Sequence, residues 1–281
     1  MEKMLVTGGA GFIGSAFVRY QLHVRPEQNI TVLDKLTYSG NLDNLKGLNG
    51  PAFSFVRGDV NDPDIAGDAL RGCDSVVHFA AESHVDRSIL DPQSFITTNV
   101  MGTYTLLEAA RQAWKGRYGD EAARVPGATG KSAEKSVLFH HISTDEVYGS
   151  IDEGSFTEQS PPRPGNPYSA SKAGGELIAL AHFNTFGTPI IITRGSNTYG
   201  PYQYPEKVLP LFVTNALDNQ PLPLYSGGEN NVRDWLYVED HCRGIETALH
   251  RGRPGEIYNI AGGNERRNIV LTHKVLALTG K

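Results

Sequence analysis

The sequence predicts an α/β protein: a doubly wound parallel sheet followed by a smaller, loop-rich substrate-binding region. Seven short, near-continuous apolar runs recur along the chain, helical patterns fall between them, and the first run ends in a glycine loop that opens a helix. The runs cover 4–7, 30–33, 53–56, 75–79, 137–142, 189–193 and 256–260. Runs of this length without alternation are what strands covered on both faces look like. Helices are expected over 12–22, 96–114 and 169–186, the second with Leu106, Leu107 and Ala110 at helical spacing. Strand and helix in alternation call for right-handed crossovers and a parallel sheet. From about Asn197 onward Pro and Gly become frequent, in PYQYPEK, QPLPLYSGGENN and GRPGE. We therefore expect a dinucleotide-binding domain over 1–195 and a substrate region over 196–281, partly interleaved with it. Residues 116–135 lack periodicity and read as an exposed insertion. The GATGKS within it lacks the opening glycine of a phosphate-binding loop, because Val125 stands at that position, and no strand precedes it.

At 281 residues, 39% hydrophobic and 20% charged, the chain can bury a sizeable core. A formal charge of -5 with no block of like charges disfavours nucleic acid and anionic membranes as partners. Cys73 and Cys242 are the only cysteines and lie far apart, so neither a disulfide framework nor a thiolate metal site is expected. A reducing cytoplasm fits this usage. The N-terminus carries no signal-peptide pattern, and no segment is long enough to span a membrane.

Gly8, Gly11 and Gly14 directly follow the first apolar run. Glycine permits the tight turn, missing side chains let the backbone approach a pyrophosphate, and the helix N-terminus offers free N–H groups and a positive dipole end. Phe12 and Ile13 fall inside the same loop. The second run ends at Asp34, followed by Lys35. A carboxylate there takes ribose hydroxyls and repels a 2′-phosphate, which favours NAD over NADP on a Rossmann-type sheet. Asp59 and Val60, after the third run, are expected near the adenine; for Asp59 a turn-forming role is nearly as good a reading.

Tyr168 and Lys172 share one face of a helix that starts after Asn166-Pro167. A free phenol has a pKa of about 10, and a neighbouring ammonium stabilises its anion. The pair is thereby suited to take a proton from a sugar hydroxyl. Tyr and Lys at this spacing also arise by chance on exposed helices, so the pair gains meaning from the glycine loop.

Asp145 and Glu146 stand side by side in STDEVYGS, at the end of the fifth run. One reading is a capping box, with Ser143 bonding the N–H three residues on and Glu146 reaching back. The other is a catalytic pair: two close carboxyls resist ionising together, so one becomes an acid while the other remains a base.

The glycine loop and the Tyr-x-x-x-Lys pair resemble those of the extended short-chain dehydrogenase/reductase superfamily. AAESHVDRS (80–88), STDEVYGS (143–150), PYSASKA (167–173), PYQYPEK (201–207) and VRDWLYVEDH (232–241) narrow the resemblance to the dTDP-glucose 4,6-dehydratases. That resemblance implies that Tyr168 deprotonates the glucose C4 hydroxyl as C4 is oxidised by NAD, with Thr144 bonded to the new ketone. It further implies Glu146 as the C5 base, Asp145 as the acid for the departing C6 hydroxyl, and a final hydride return to C6. Ala80 and Ala81 are placed beside the cofactor, Asn99 supports it, and Ser83 and His84 face the sugar and pyrophosphate. Asn197, Lys207, Val208, Pro223, Tyr225, Arg233 and Asn268 are placed around the nucleotide sugar. His140 and His141 face opposite sides of one strand and read as packing residues; no metal is expected.

Two departures stand out. Thr198 occupies the second position of a pattern that in this family reads Asn-Asn-Tyr-Gly-Pro, and the family's Arg-containing segment beyond the last helix has no counterpart before Lys281. The second departure implies either a portion of a longer protein or an incomplete nucleotide grip. A UDP-glucose 4,6-dehydratase is the nearest rival reading. An epimerase, a UDP-glucuronate decarboxylase and a non-enzymatic NAD-binding module share the loop and the fold, but none of them uses two adjacent acids for elimination. The resemblance also implies a homodimer joined through helices around 99–115 and 168–184.

Overall fold

The computed structural model describes residues 2–118 and 137–281; the GATGKS stretch and most of the expected insertion at 116–135 lie outside the described residues. Seven parallel strands form the main sheet: β1 (Lys3–Thr7), β2 (Asn29–Asp34), β3 (Phe53–Arg57), β4 (Ser75–His78), β5 (Leu138–Thr144), β6 (Ile190–Gly195) and β9 (Ile257–Ile260). Their order is β3-β2-β1-β4-β5-β6-β9. Each strand coincides with one apolar run. The order reverses between β1 and β4, the topological switch point at which a doubly wound sheet opens a crevice beyond its strand ends.

Alternate residues of one strand feed two different cores, which is why the runs show no polar alternation. Met4 and Val6 pack with Ile30, Val32 and Val77 under helices α1 (Phe12–Val24) and α8 (Val238–Arg251). Leu5 points the other way, towards Leu33, Val76, Phe139 and Ile192. That face is covered by α2 (Pro63–Leu70), α5 (Gly102–Ala113) and α6 (Pro167–Phe186).

Local chemistry sets the helix ends. Asn166 caps α6 by accepting from the Ser169 N–H at 2.8 Å, Ser169 Oγ accepts from the Asn166 N–H in return, and Pro167 fills the first turn. Gly187, at φ 70°, closes the same helix in the left-handed region. The helix expected over 96–114 differs from a plain α-helix. A short α4 (Pro92–Phe95) runs into a π-helical turn, Ile96–Met101, before α5 begins at Gly102. The cause sits at Asn99: its side chain is buried in bonds to both main-chain groups of Glu82 and to Ser171 Oγ, which favours the wider turn.

After Gly195 the chain builds a second sheet, β10-β8-β7, from β7 (Asn197–Tyr199), β8 (Val232–Tyr237) and β10 (Glu265–Arg267), with α7 (Val208–Leu217) and α9 (Asn268–Thr279) packed together beside it. The Pro- and Gly-rich stretches are its connections. In between, α8 and β9 return to the main sheet, because α8 packs on α1 and β9 pairs with β6. One further short helix, α3 (Val85–Leu90), follows β4.

Candidate active site

A cleft of about 360 Å³ opens at the switch point, along the carboxyl ends of β1, β2, β4, β5 and β6. Gly8, Gly11, Phe12, Ile13 and Gly14 line one end. A Cβ on Gly8, at φ +69°, would sit 2.6 Å from the Ala80 nitrogen, and one on Gly14 would sit 2.3 Å from the Gly8 carbonyl oxygen. The loop is thus folded tightly on itself and on the end of β4, and only glycine fits. No side chain caps the N-terminus of α1, so its N–H groups face the cleft.

Asp34 and Lys35 line the same end, with Asp59 and Val60 beyond them. The Asp34 carboxylate accepts the N–H groups of Ala10 at 2.9 Å and Leu36 at 2.8 Å. Burial raises its pKa, against the pull of those two N–H groups. Lys35 Nζ lies 2.6 Å from Asp59 Oδ2. Burial would raise the Asp59 pKa, but Lys35 and Asn61 together hold it below the ordinary value. Ala80 and Ala81 complete the wall. The glycine cradle, the open helix end and a buried carboxylate at the end of β2 together fit a dinucleotide without a 2′-phosphate.

The other end carries the titratable groups. Thr144 ends β5, and Asp145 and Glu146 follow in a 3-10 turn, Asp145–Tyr148. The cap of this turn is Thr144, whose Oγ1 accepts from the Glu146 N–H at 3.3 Å and donates to Asp145 Oδ1 at 3.3 Å. Ser143 Oγ makes no hydrogen bond among the described residues, so the capping box built on Ser143 does not form. Thr144, Asp145, Glu146, Tyr168 and Lys172 all line the cleft. The Asp145 pKa rises to about 6, through burial first and then the charge of Glu146, against the Thr144 hydroxyl. A carboxyl poised there can give a proton near neutrality.

The relation of Tyr168 to Lys172 differs from the one their spacing suggests. Lys172 Nζ donates to the Ile142 carbonyl at 2.6 Å, and burial lowers its pKa to about 8. The Tyr168 phenol is raised, by burial and then by Glu146, with only the Thr144 hydroxyl opposing. The i,i+4 spacing does bring both side chains to one cleft, but the lysine stem reaches to the end of β5, where Nζ bonds a main-chain carbonyl. Beneath it His78 and His141 are fully buried, with the His78 pKa lowered to about 3 and that of His141 well below ordinary by the same burial. His141 has neither ring nitrogen hydrogen-bonded to the described residues, as a packing histidine.

The residues expected around the substrate divide into two groups. Ser83, Asn197, Lys207 and Val208 line the cleft, and Lys207 Nζ bridges to the Ser83 carbonyl at 2.8 Å. The remaining five, His84, Pro223, Tyr225, Arg233 and Asn268, do not line it, and neither does Asn99, expected as a support of the cofactor, which acts from behind the wall. His84 caps α3 through its Nδ1. Pro223 and Tyr225 are exposed, with the Tyr225 hydroxyl donating to Asp86 at 2.8 Å. Asn268 Nδ2 donates to the Gly228 carbonyl, which ties α9 to that connection. Arg233 is exposed on β8, yet its charge reaches Asp145 and favours ionisation there. Conversely, Thr98, Ser196 and Glu206 line the cleft without being singled out by the sequence. Glu206 adjoins Lys207 in PYQYPEK, a usable signal; Thr98 lies within the π turn. No cluster of three or more metal-ligating side chains occurs among the described residues.

Comparison with known proteins agrees with this geometry. A dTDP-glucose 4,6-dehydratase of Streptomyces niveus is 50% identical over 283 residues, covering 99% of this chain and 78% of the relative. The Escherichia coli enzyme of the same name is 47% identical over 282 residues, covering 95% of this chain and 74% of the relative. Among solved structures, a Streptomyces venezuelae dTDP-glucose 4,6-dehydratase with NAD bound superposes with a TM-score of 0.88 at 50% identity, over 99% of this chain and 81% of that one. A UDP-glucuronic acid 4-epimerase of Bacillus cereus, also with NAD, reaches 0.83 at only 29% identity, over 99% and 83%. The model of the GDP-mannose 4,6 dehydratase family matches residues 5–279, and the chain belongs to that family.

Proposed function

We propose that the protein is an NAD-dependent dTDP-glucose 4,6-dehydratase, a hydro-lyase that yields the 4-keto-6-deoxy sugar nucleotide. The observation that carries this reading is the placing of Asp145 and Glu146 in one cleft with Tyr168, beside the glycine cradle. Epimerase relatives share the fold, so the fold alone does not choose between the reactions. Elimination of water, however, needs a base and an acid together.

Gly8, Gly11 and Gly14 would hold the pyrophosphate of NAD, Asp34 would hold its ribose, and Ala80 and Ala81 would flank it, with Asn99 bracing the wall. When bound, NAD would supply the hydride acceptor for C4 and the hydride returned to C6. Tyr168, as its phenolate, would take the C4 hydroxyl proton, and Thr144, which lines the same cleft, would bond the new ketone oxygen. Lys172 supplies positive charge to this corner. The ketone makes the C5 proton acidic, Glu146 removes it, and Asp145 protonates the leaving C6 hydroxyl. Lys207, a half-buried cation whose pKa is lowered by desolvation, and Arg233 would take the diphosphate, with Ser83, His84, Asn197, Val208, Pro223, Tyr225 and Asn268 around the nucleotide sugar.

We assign dinucleotide binding to residues 1–195 and the nucleotide sugar to 196–281, interleaved through α8 and β9. Exposed Met101 and Tyr104 near the start of α5, with Leu177 and Phe186 on α6, support a homodimer joined through these helices. Free, buried Cys73 and Cys242 suit a reducing cytoplasm; no described helix is long and apolar enough to cross a membrane. The experiment is incubation with dTDP-glucose, UDP-glucose and GDP-mannose in turn, reading the base-labile 4-keto product. The dTDP sugar should react best. Product from UDP-glucose alone would move the assignment to the rival base.

A further inference from the structure

We infer that the buried Glu176–Arg194 ion pair positions the acid-bearing turn against the tyrosine-bearing helix, and so sets the distance between the two halves of the proposed chemistry. The inference rests on the dehydratase reading above. Neither residue lines the cleft. Arg194, on β6, donates from Nε to Glu176 Oε1 at 3.0 Å and from Nη2 to Oε2 at 2.5 Å, with both side chains only 2% exposed. Glu176 lies on α6 one turn beyond Lys172, so the fork grips the helix that carries Tyr168 and Lys172.

The same guanidinium lies 4.5 Å from the centroid of the Tyr148 ring, the last residue of the turn that begins at Asp145. Tyr148 is held from its other sides: it stacks on Phe156 at 4.9 Å, and its hydroxyl donates to Asn259 Oδ1 at 2.7 Å. Arg194 also pairs in the sheet with Ser143, next to Thr144. One side chain therefore touches the acid turn and the phenol helix at once. A planar guanidinium can do both, forking to a carboxylate in its plane and stacking through its face, whereas an ammonium cannot.

A pair kept only for stability should be replaceable. Swapping a buried ion pair for apolar residues of similar volume is often neutral or stabilising, while removing one partner strands a buried charge. The test is therefore the double variant Glu176→Leu/Arg194→Met, compared with Glu176→Gln and Arg194→Lys. We expect Glu176→Gln to lower the unfolding temperature and the double variant to restore it. The double variant should nonetheless lose kcat about 100-fold, the scale of a misplacement of about 1 Å, with KM for dTDP-glucose unchanged. Its bound cofactor should stay reduced after substrate is added, because oxidation and elimination are no longer aligned. Arg194→Lys, which keeps the charge and loses fork and stack, should lose at least about 10-fold in kcat. Wild-type kcat in the double variant with a native unfolding temperature would overturn the inference, as would wild-type kcat in Arg194→Lys if the double variant does not fold. Wild-type protein inert towards every nucleotide sugar would overturn the dehydratase reading, and this inference with it.

Discussion

We assign opposite tasks to two carboxyls joined by one peptide bond, and the physical basis is visible at Asp145. Burial and the charge of Glu146 bring its pKa to about 6, so it holds a proton that an exposed aspartic acid would have lost. Glu146→Gln should still reduce bound NAD when dTDP-glucose is added but release product at least about 100-fold more slowly, the usual worth of a positioned base; normal turnover would remove Glu146 from the C5 step. Asp145→Asn makes a second, thermodynamic prediction. A folded-state pKa raised above the ordinary aspartate value of 3.8 means that Asp145 contributes stability below that value, and that this contribution is lost as pH rises through about 6. The asparagine variant should therefore unfold about 2–4 °C higher than wild type at pH about 8, as for about 1 kcal/mol in a chain of this size. The gap should narrow as the pH falls to about 5, read by thermal melts across that range. At this scale the sequence was partly legible. The acids, the phenol and the lysine announce themselves by spacing, but where an ammonium ends up is decided by a carbonyl thirty residues away, at Ile142. Arg194 was hidden for a similar reason: it closes an apolar run and looks like a strand end until Glu176 is brought against it.

Among the elements, the glycine loop is the one whose function is most nearly written in its letters, because the absence of a side chain at Gly14 has one steric consequence. Gly14→Ala drives a Cβ to 2.3 Å from the Gly8 carbonyl oxygen and 2.9 Å from the Gly9 Cα, so the loop must open. The variant should copurify with less than about a tenth of the wild-type NAD, measured on the denatured supernatant; a value near wild type would show that the cradle tolerates a shift of that size. The strands were equally legible, since burial on both faces removes their polar positions. The π turn over Ile96–Met101 was not, because its cause is a set of side-chain bonds from Asn99 to Glu82 and Ser171 that no local pattern records. His84 has a role its motif does not record: its ring caps α3 by accepting the Arg87 N–H.

For the whole molecule, what remains uncovered is as informative as what is packed. Met101 is 50% exposed, Tyr104 45% and Leu177 60%, on two helices that already pack side by side. On the proposed homodimer, light scattering should give a dimer for wild type and a monomer for Leu177→Arg, with the unfolding temperature of the dilute protein near wild type; a monomeric wild type would remove the dimer proposal, and an unchanged dimer mass in the variant would place its interface elsewhere. The seven-stranded frame followed from periodicity and crossover rules alone, whereas the second sheet did not, since β7 and β10 are three residues each, too short to show a period.

Thr144 to Glu146 is a single corner at the end of β5, and most of the rest of the cleft comes from other strands, helices and connections. Rewriting the two adjacent codons for Asp145 and Glu146 should strip the proposed elimination chemistry and leave the proposed oxidising groups, Thr144 and Tyr168, in place. Descent within such a scaffold can therefore proceed by editing one corner at a time, and a 4-epimerase with the same architecture at 29% identity is the kind of cousin that history would leave behind.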